Sequence, residues 1–592
     1  MCEGDHGIFS EGKFMSILDK SSLVMIPSGY KENILYSVKP RNGEGDFTFT
    51  RASTGTRVNA DGFIEEVPWN KSTYSEDFTN GNYVKNNCVV IADQADSPTG
   101  TTTADQIDFG SGSGFFYNVL TAITQPSTYS VYVKYIDYQF IQIIGTGDVD
   151  HYANFDIQNG IVGNTGSQST ASIVDAGNGW YRCIINYNSG TFAGGARLYK
   201  TTSLTASWAG GGGVAGSFYF WGNQLVKGNS PKPYIKTTDR LDIPRLDYSG
   251  GATTPTLLLE PQRTNTILNS EDLSQNTILN NASVTTDQTT SPSNIDNADK
   301  ITFGSGSGFF YKQTTINAAS TFSVFLKYDD YQYFQLMGTG DVDHYANFDI
   351  QNGVLGNVGS QATAKIEDYG NGWYRCSLSM YAGNFAGAQR VYKTTSLTAS
   401  WAGGGGVAGS VFAWGIQLES GIYATSYIPT NGTSVTRVAD VCQDAGDATI
   451  FNDSEGVLFT EIAALADDSN ERFLSVSDGT TVNRISLWYY SATNGLAVAV
   501  YSGSVAQFFT TTILSNDTDY NKIAIKYKAN DFALWVNGVE VATDTSGLAP
   551  VGLSELAFDR GDGALDFYGK VKNLQIFKTA LTDTELATLT TI

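Results

Sequence analysis

Residues 145–160 read GTGDVDHYANFDIQNG, and the same string returns unchanged at 338–353. Residues 199–217, YKTTSLTASWAGGGGVAGS, return at 392–410. GSGSGFFY stands at 110–117 and 304–311, and GWYRC at 179–183 and 372–376. His151 and His344 are separated by the same interval as Trp221 and Trp414. Identity at an interval of 193 residues, or 194 for GSGSGFFY, marks a tandem duplication of a single folding unit. The copies occupy 75–236 and 270–430. Two copies of this length are too few and too long for a solenoid, so they read as beads in series.

Within each copy the pattern is that of strands. Tyr129-Ser-Val-Tyr-Val-Lys-Tyr135 and its counterpart Phe322-Ser-Val-Phe-Leu-Lys-Tyr328 are rich in β-branched and aromatic residues. Further strands are predicted at 139–144, 180–187, 195–200 and 217–226, with Gly and Asn between them. Spacing of this kind predicts a two-sheet sandwich. No segment carries a long 3.6-residue apolar period. Each copy is therefore expected to be a jelly-roll β-sandwich, the shape common among carbohydrate-binding modules.

Composition agrees. The 592 residues include 63 Gly, 33 Tyr and 32 Phe, and only 16% are charged. Such a chain favours strands joined by tight turns, and its length suits about three to five domains. The net charge is −23, from 36 basic and 59 acidic residues. That balance repels phosphate backbones and anionic lipid surfaces, so neither nucleic acid nor membrane is an expected partner. The five cysteines, Cys2, Cys88, Cys183, Cys376 and Cys442, include no CxxC. An odd count without that spacing argues against a disulfide framework or a zinc site. Cys183 and Cys376 hold matching places and are expected in the cores as small apolar residues, as in a protein folded in a reducing cytosol. Met1–Phe14 has no basic stretch followed by an apolar run and does not read as a signal peptide. Met15 reads as an alternative natural start.

The stretch 447–592 differs from the copies. Strands are expected at 457–461, 484–490, 496–500 and 522–527. Phe532-Ala-Leu-Trp-Val-Asn-Gly-Val-Glu-Val541 is a hairpin whose Asn537-Gly538 turn needs positive φ at both residues. Val-Lys-Asn-Leu-Gln-Ile-Phe577 closes the strand series. Thr582 and Glu585 then form a capping box for a short final helix. This succession resembles the concanavalin A-like, laminin-G-like lectin sandwich and is expected to fold alone.

Two strings point further. FTFTRASTGTRVNADGFIEEV lies within 22–67, and 240–265 reads RLDIPRLDYSGGATTPTLLLEPQRTN. Ser75-Glu-Asp-Phe78 and Ser270-Glu-Asp-Leu273 open the two copies. Ala424-Thr-Ser-Tyr-Ile-Pro-Thr430 and Val435-Thr-Arg-Val-Ala-Asp440 end the second. Over residues 22–440 the chain resembles a family of phage structural and fibre proteins in which the first two strings adjoin. The resemblance implies an appendage on the exterior of a virion, head or tail, made in the host cytoplasm. It also implies other virion proteins as partners and self-association into a symmetric fibre. Because copy one interrupts the strings, 22–67 and 240–265 are expected to form one discontinuous module.

The chemistry-bearing residues are few. The histidines are His6, His151 and His344. No nucleophile elbow accompanies them, so no catalytic residue is assigned. Asp148 and Asp150, with Asp341 and Asp343 in copy two, are weak candidates for structural calcium, the one ion the pattern suits. The EF-hand's sixth-position Gly and closing Glu are missing, and a solvated turn is the simpler reading. The glycine tract 210–216 lacks the Lys-Ser/Thr of a phosphate loop and reads as a flexible connection. Sugars present C–H faces to aromatic rings and hydroxyls to amides. Tyr152, Asn154 and Trp208, repeated as Tyr345, Asn347 and Trp401, are therefore candidate contacts for a host-surface glycan or a second chain. Trp180, Trp373, Trp221 and Trp414 stand within strands and are assigned to cores.

The expected organisation is an all-β chain of tandem jelly-roll sandwiches plus a concanavalin A-like sandwich. Residues 1–67 form an attachment or collar segment continued by 240–265. Copy one spans 75–236, a connecting segment 237–269, copy two 270–430, a linker 431–446 and the lectin-type domain 447–592. The expected function is a fibre or spike that adheres to glycan. The alternatives are a purely architectural decoration protein and a glycan depolymerase.

Overall fold

The computed structural model describes residues 17–118, 126–145, 149–188, 196–238, 242–312, 318–338, 342–381 and 389–592. The two copies are antiparallel sandwiches of two six-stranded sheets each, with the same strand order. In copy one the first sheet runs Ile161–Thr165, Tyr152–Asp156, Phe140–Gly145, Ala196–Lys200, Phe115–Asn118, Tyr83–Asn86. The second runs Ser169–Gly177, Trp180–Tyr187, Ser127–Tyr135, Gly216–Lys227, Thr102–Phe109, Cys88–Asp96. Alternation decides the faces. In Ser127–Tyr135, Tyr129, Val131 and Val133 point into a core shared with Cys183, Ile185 and Phe220. Copy two repeats this with Phe322, Val324, Leu326 and Cys376. Trp180, Trp221, Trp373 and Trp414 are all fully buried, as their strand positions require.

In each copy a buried aspartate ties a loop amide to one in an edge strand. Asp105 accepts from the Phe78 and Asp93 N–H groups, and Asp299 from those of Leu273 and Asp287. Burial outweighs these bonds and pushes both carboxyls up to about 6. Asp517 in the C-terminal sandwich is pushed up to about 6 by burial as well. An unfolded aspartate titrates near about 3.9. Between about pH 4 and 6 the folded chain therefore binds more protons than the unfolded one, and stability falls as pH rises. The urea midpoint of the copies is expected to be higher at pH 5 than at pH 7. A midpoint that climbs over that interval contradicts the assignment.

The C-terminal sandwich corrects the expected boundaries. Its larger sheet runs Leu246–Asp247, Thr256–Leu259, Gly569–Phe577, Glu455–Ala464, Asn521–Lys528, Phe532–Val536, Val539–Asp544. Ser21–Met25 adds to the far half of Gly569–Phe577, through Val24 opposite Gln575. Thr256–Leu259 adds to the near half, with Leu257 opposite Val571. The second sheet is Val505–Ile513, Gly495–Ser502, Arg484–Tyr489, Arg472–Ser477, Glu555–Ala557. One apolar core holds Leu23, Met25, Phe47, Phe49, Leu257 and Cys442 together with Leu458, Leu487 and Ile576. Residues 447–592 thus do not form a self-contained domain. The N-terminal segment is not a separate collar, and 431–446 is not a free linker, because Val441–Gln443 pairs with Phe47–Thr50. The physical reason is that Gly569–Phe577 would otherwise present an open edge with exposed backbone groups and uncovered apolar side chains.

The expected contact between 22–67 and 240–265 is present, since the Tyr248 N–H donates to Val58 O at 2.9 Å. The hairpin turn has Asn537 at φ 50° and Gly538 at φ 83°. The final helix, Asp583–Thr590, carries the capping box between Thr582 and Glu585.

At the junction of all these segments lies a buried ionic cluster. Arg51, Arg245, Arg437, Glu260 and Asp440 are each at most 2% exposed. Arg51 Nη1 donates to Asp440 Oδ1 at 2.8 Å, and Arg245 pairs with both Asp440 and Glu260. Arg437 Nη1 reaches Glu260 Oε2 at 2.8 Å. Ser426 joins through its N–H to Glu260 Oε1 at 2.7 Å. Burial alone would raise the Glu260 carboxyl, but Arg437 and Arg245 hold it well below the usual carboxylate range.

Candidate functional site

The identical blocks of each copy meet on the outer face of the first sheet. Asn154 Nδ2 donates to Leu204 O at 3.1 Å and Ala206 O at 2.7 Å. Gln142 Nε2 donates to Ser207 O at 2.9 Å and to Asn154 Oδ1 at 2.7 Å. These bonds clamp the 203–210 loop over half of the sheet and set Trp208 beside it. Copy two repeats them with Asn347, Gln335, Leu397, Ala399 and Ser400. Gly163 permits the close approach, because a Cβ there would lie 2.2 Å from Leu204 O.

Asn154 and Asn347 are fully buried, so the assignment of these two as ligand contacts is corrected. They spend their amides on loop carbonyls. Tyr152, Tyr345, Trp208 and Trp401 are partly exposed at the same face. Trp401 Nε1 donates to Gly338 O at 3.3 Å. The glycine tract is not a loose connection either, since Gly212 O accepts from Tyr138 Oη at 2.9 Å. Of the calcium candidates, Asp148 and Asp341 lie outside the described residues. Asp150 and Asp343 accept from Ser167 and Ser360 at 2.7 Å. Among the described residues no group of three or more His, Cys, Asp or Glu side chains is placed to hold a metal.

The half of the sheet that the loop leaves open carries a feature the sequence reading missed. Phe115, Tyr117, Arg197 and Tyr199 all point outward and are partly exposed. The Phe115 ring lies 5.0 Å from that of Tyr199 and 6.1 Å from that of Tyr117. The Arg197 guanidinium sits 4.4 Å from the Tyr117 ring centre and 5.4 Å from that of Phe115. In copy two Phe309, Tyr311, Arg390 and Tyr392 repeat the arrangement, with Tyr392 buried and the Phe309 and Tyr392 rings at 4.7 Å. Arg390 lies over Phe309 at 4.6 Å and Tyr311 at 5.1 Å. The signal was present in GSGSGFFY. Period-two alternation sends Phe116 into the core and Phe115 and Tyr117 outward. Such a platform offers apolar ring surface beside hydroxyl and guanidinium donors, the combination that fits a sugar's C–H face and its hydroxyls.

A cleft of about 520 Å³ among the described residues lies between the copies and the Gly55–Val67 hairpin. Its three glutamates are ion-paired, Glu65 with Arg57 and Lys232, Glu66 with Lys71, and Glu271 with Lys227, while Asp61 and Asp296 also line it. For Glu65, burial would raise the carboxyl, but Arg57 and Lys232 hold it below its usual value.

Residues 461–587 match the family model of the concanavalin A-like lectin/glucanases superfamily. No curated protein matches the sequence. Among solved structures, the CBM40 of Ruminococcus gnavus IT-sialidase bound to alpha2,3 sialyllactose is 20% identical, covering 24% of this chain and 86% of that one, with a TM-score of 0.22. The laminin alpha1 domains LG4-5 of mouse are 10% identical over 45% of this chain and 86% of theirs, with a TM-score of 0.18. The CBM22-1-CBM22-2 tandem of Paenibacillus barcinonensis Xyn10C is 9% identical over 63% and 98%, with a TM-score of 0.17. The family match and the strand order define an all-β, multi-sandwich chain with a concanavalin A-like C-terminal part.

Proposed function

We propose that this chain is a structural fibre or spike protein of a phage particle that adheres to host-surface glycan through its two platforms. The observation that carries the glycan half is the repetition of one Phe–Tyr–Tyr–Arg set on equivalent sheets, with both Phe–Tyr pairs, Phe115 with Tyr117 and Phe309 with Tyr311, partly exposed. Exposed rings in a row cost solvation, and a purely architectural spacer gains nothing from keeping them. The virion half rests on the strings that resemble phage fibre proteins, four of which supply the buried cluster. Placement on the particle exterior, attachment to capsid or tail proteins and symmetric self-association belong to the same proposal.

Adhesion is favoured over depolymerisation by the state of the main cleft. A glycosidase needs one carboxyl kept protonated beside a second carboxylate. Glu65, Glu66 and Glu271 are instead ion-paired, and Glu65 is held ionised. Incubation with host surface polysaccharide separates the three roles. Retention without new reducing ends is the expected result. New reducing ends would establish a depolymerase, and neither retention nor cleavage would leave architecture alone.

A further inference from the structure

The second sheet of the C-terminal sandwich carries an unmatched cation. In Arg484–Tyr489, Ile485, Leu487 and Tyr489 face the core, so Arg484 and Trp488 lie on the outer face. Arg484 stands opposite Tyr501, and its guanidinium carbon is 4.1 Å from that ring's centre. The residue is only 8% exposed. Its Nη1 donates to Thr481 O, and its Nε has no hydrogen-bond partner. No ion pair serves it among the described residues. The nearby Asp562 is gripped by Arg560, at 2.6 Å through Nη2 and 3.2 Å through Nε. Arg484, Arg560, Tyr501, Thr481 and Ser504 line one open pocket of about 320 Å³. Ser504 holds φ at 66°, a strained value for a residue with a side chain, at the pocket's rim.

A buried guanidinium without a counter-charge is costly. It is stranger still in a chain of net charge −23, where carboxylates outnumber cations. After the Arg560–Asp562 pair cancels, the pocket keeps one positive charge, the Arg484 guanidinium, beside the hydroxyl-bearing residues Thr481, Tyr501 and Ser504. A guanidinium edge of that kind matches the two oxygens of a carboxylate. Four residues along the same strand, Trp488 stacks on Phe473 at 4.7 Å, and Phe509, 58% exposed, lies 6.2 Å from Trp488. At about 3.3 Å per residue, this aromatic edge is roughly 13 Å from Arg484, on the scale of two or three sugar rings.

We propose that the Arg484 pocket binds the carboxylate of an acidic saccharide, with the Trp488–Phe509 edge receiving a ring two or three units along the chain. The site is separate from the platforms, and shares with them only the general reading that the chain binds glycan. The test is calorimetric titration of the full chain with short oligosaccharides bearing glucuronate, galacturonate or N-acetylneuraminate, each beside its methyl ester. At least one acid is expected to bind, with its ester at least tenfold weaker. Arg484→Gln should lose at least tenfold, and Arg484→Lys should recover part of the loss. If Arg484→Gln fails to fold, Arg560→Gln and Tyr501→Ala serve instead, each expected to weaken the acid several-fold. The proposal is overturned if no acid binds, if acid and ester bind alike, or if the folded variants bind as the parent does. Retention on neutral polysaccharide, read on the same samples, reports the platforms independently, so that either site can fail without the other.

Discussion

Arg245→Met is expected to destabilise the chain by about 3–5 kcal/mol, read as a fall in the urea midpoint of the body that contains Leu23, Leu257 and Ile576. The magnitude comes from what the substitution leaves behind. Arg245 is wholly buried and neutralises both Asp440 and Glu260 while also donating to Thr56 O at 3.1 Å and Ser426 Oγ at 2.8 Å. Without it two carboxylates stay buried, with only Arg51 and Arg437 beside them. A chain of several sandwiches need not unfold in one step. Amide exchange in Thr256–Leu259 and Val441–Gln443 therefore reports the loss locally. Adding Glu260→Gln to Arg245→Met should not restore stability, because Arg437 pairs with Glu260 and would then be left buried without a carboxylate. A cost below about 1 kcal/mol for Arg245→Met alone would falsify the view that the cluster holds these segments together. The cluster also adds an acid limit. Glu260 is depressed in the folded state, so its contribution is complete above its unfolded value of about 4.3 and is lost as pH falls below that.

The cluster shows what the sequence could and could not disclose. Arg51, Glu260, Ser426, Arg437 and Asp440 all stand in the strings that resemble phage fibre proteins. The strings are recognisable in one dimension, but their meaning as a joint is not, since the residues converge from positions up to 389 apart. Local alternation, by contrast, is enough to place strands such as Trp180–Tyr187 and Asn521–Lys528, because each side chain's face follows from period two. Partner choice between distant strands carries no such signature. Nothing in Ser21–Met25 or Thr256–Leu259 names Gly569–Phe577 as the strand they cover. The site was half legible for a related reason. Asn154 in an invariant block looks like a ligand contact, yet an amide that ties down a loop leaves the same mark. Phe115 and Tyr117 were visible as a repeated string, but the exposure of their rings depends on which half of the sheet the 203–210 loop covers.

The second large effect follows from having the platform twice. Two linked modules that engage one polymer convert the second contact into an intramolecular event, which raises apparent affinity by about 10²–10⁴-fold without any new contact. Phe115→Ala with Tyr117→Ala should empty the platform of copy one. These side chains are partly exposed on the outer face, and Phe116 and Leu198, which hold the core beneath, are untouched. For a short oligosaccharide the expected change is in stoichiometry, from two sites to one, with the remaining affinity unaltered. For long polysaccharide on a surface, the same variant should lose about 10²-fold in apparent affinity. Adding Phe309→Ala with Tyr311→Ala should then abolish platform binding altogether. Calorimetry with the oligosaccharide and surface retention on the polymer give the two readings. If the copy-one variant weakens polymer retention only twofold while oligosaccharide stoichiometry falls to one, the platforms act singly and the duplication serves length rather than avidity. If stoichiometry is unchanged, the rings do not form the site.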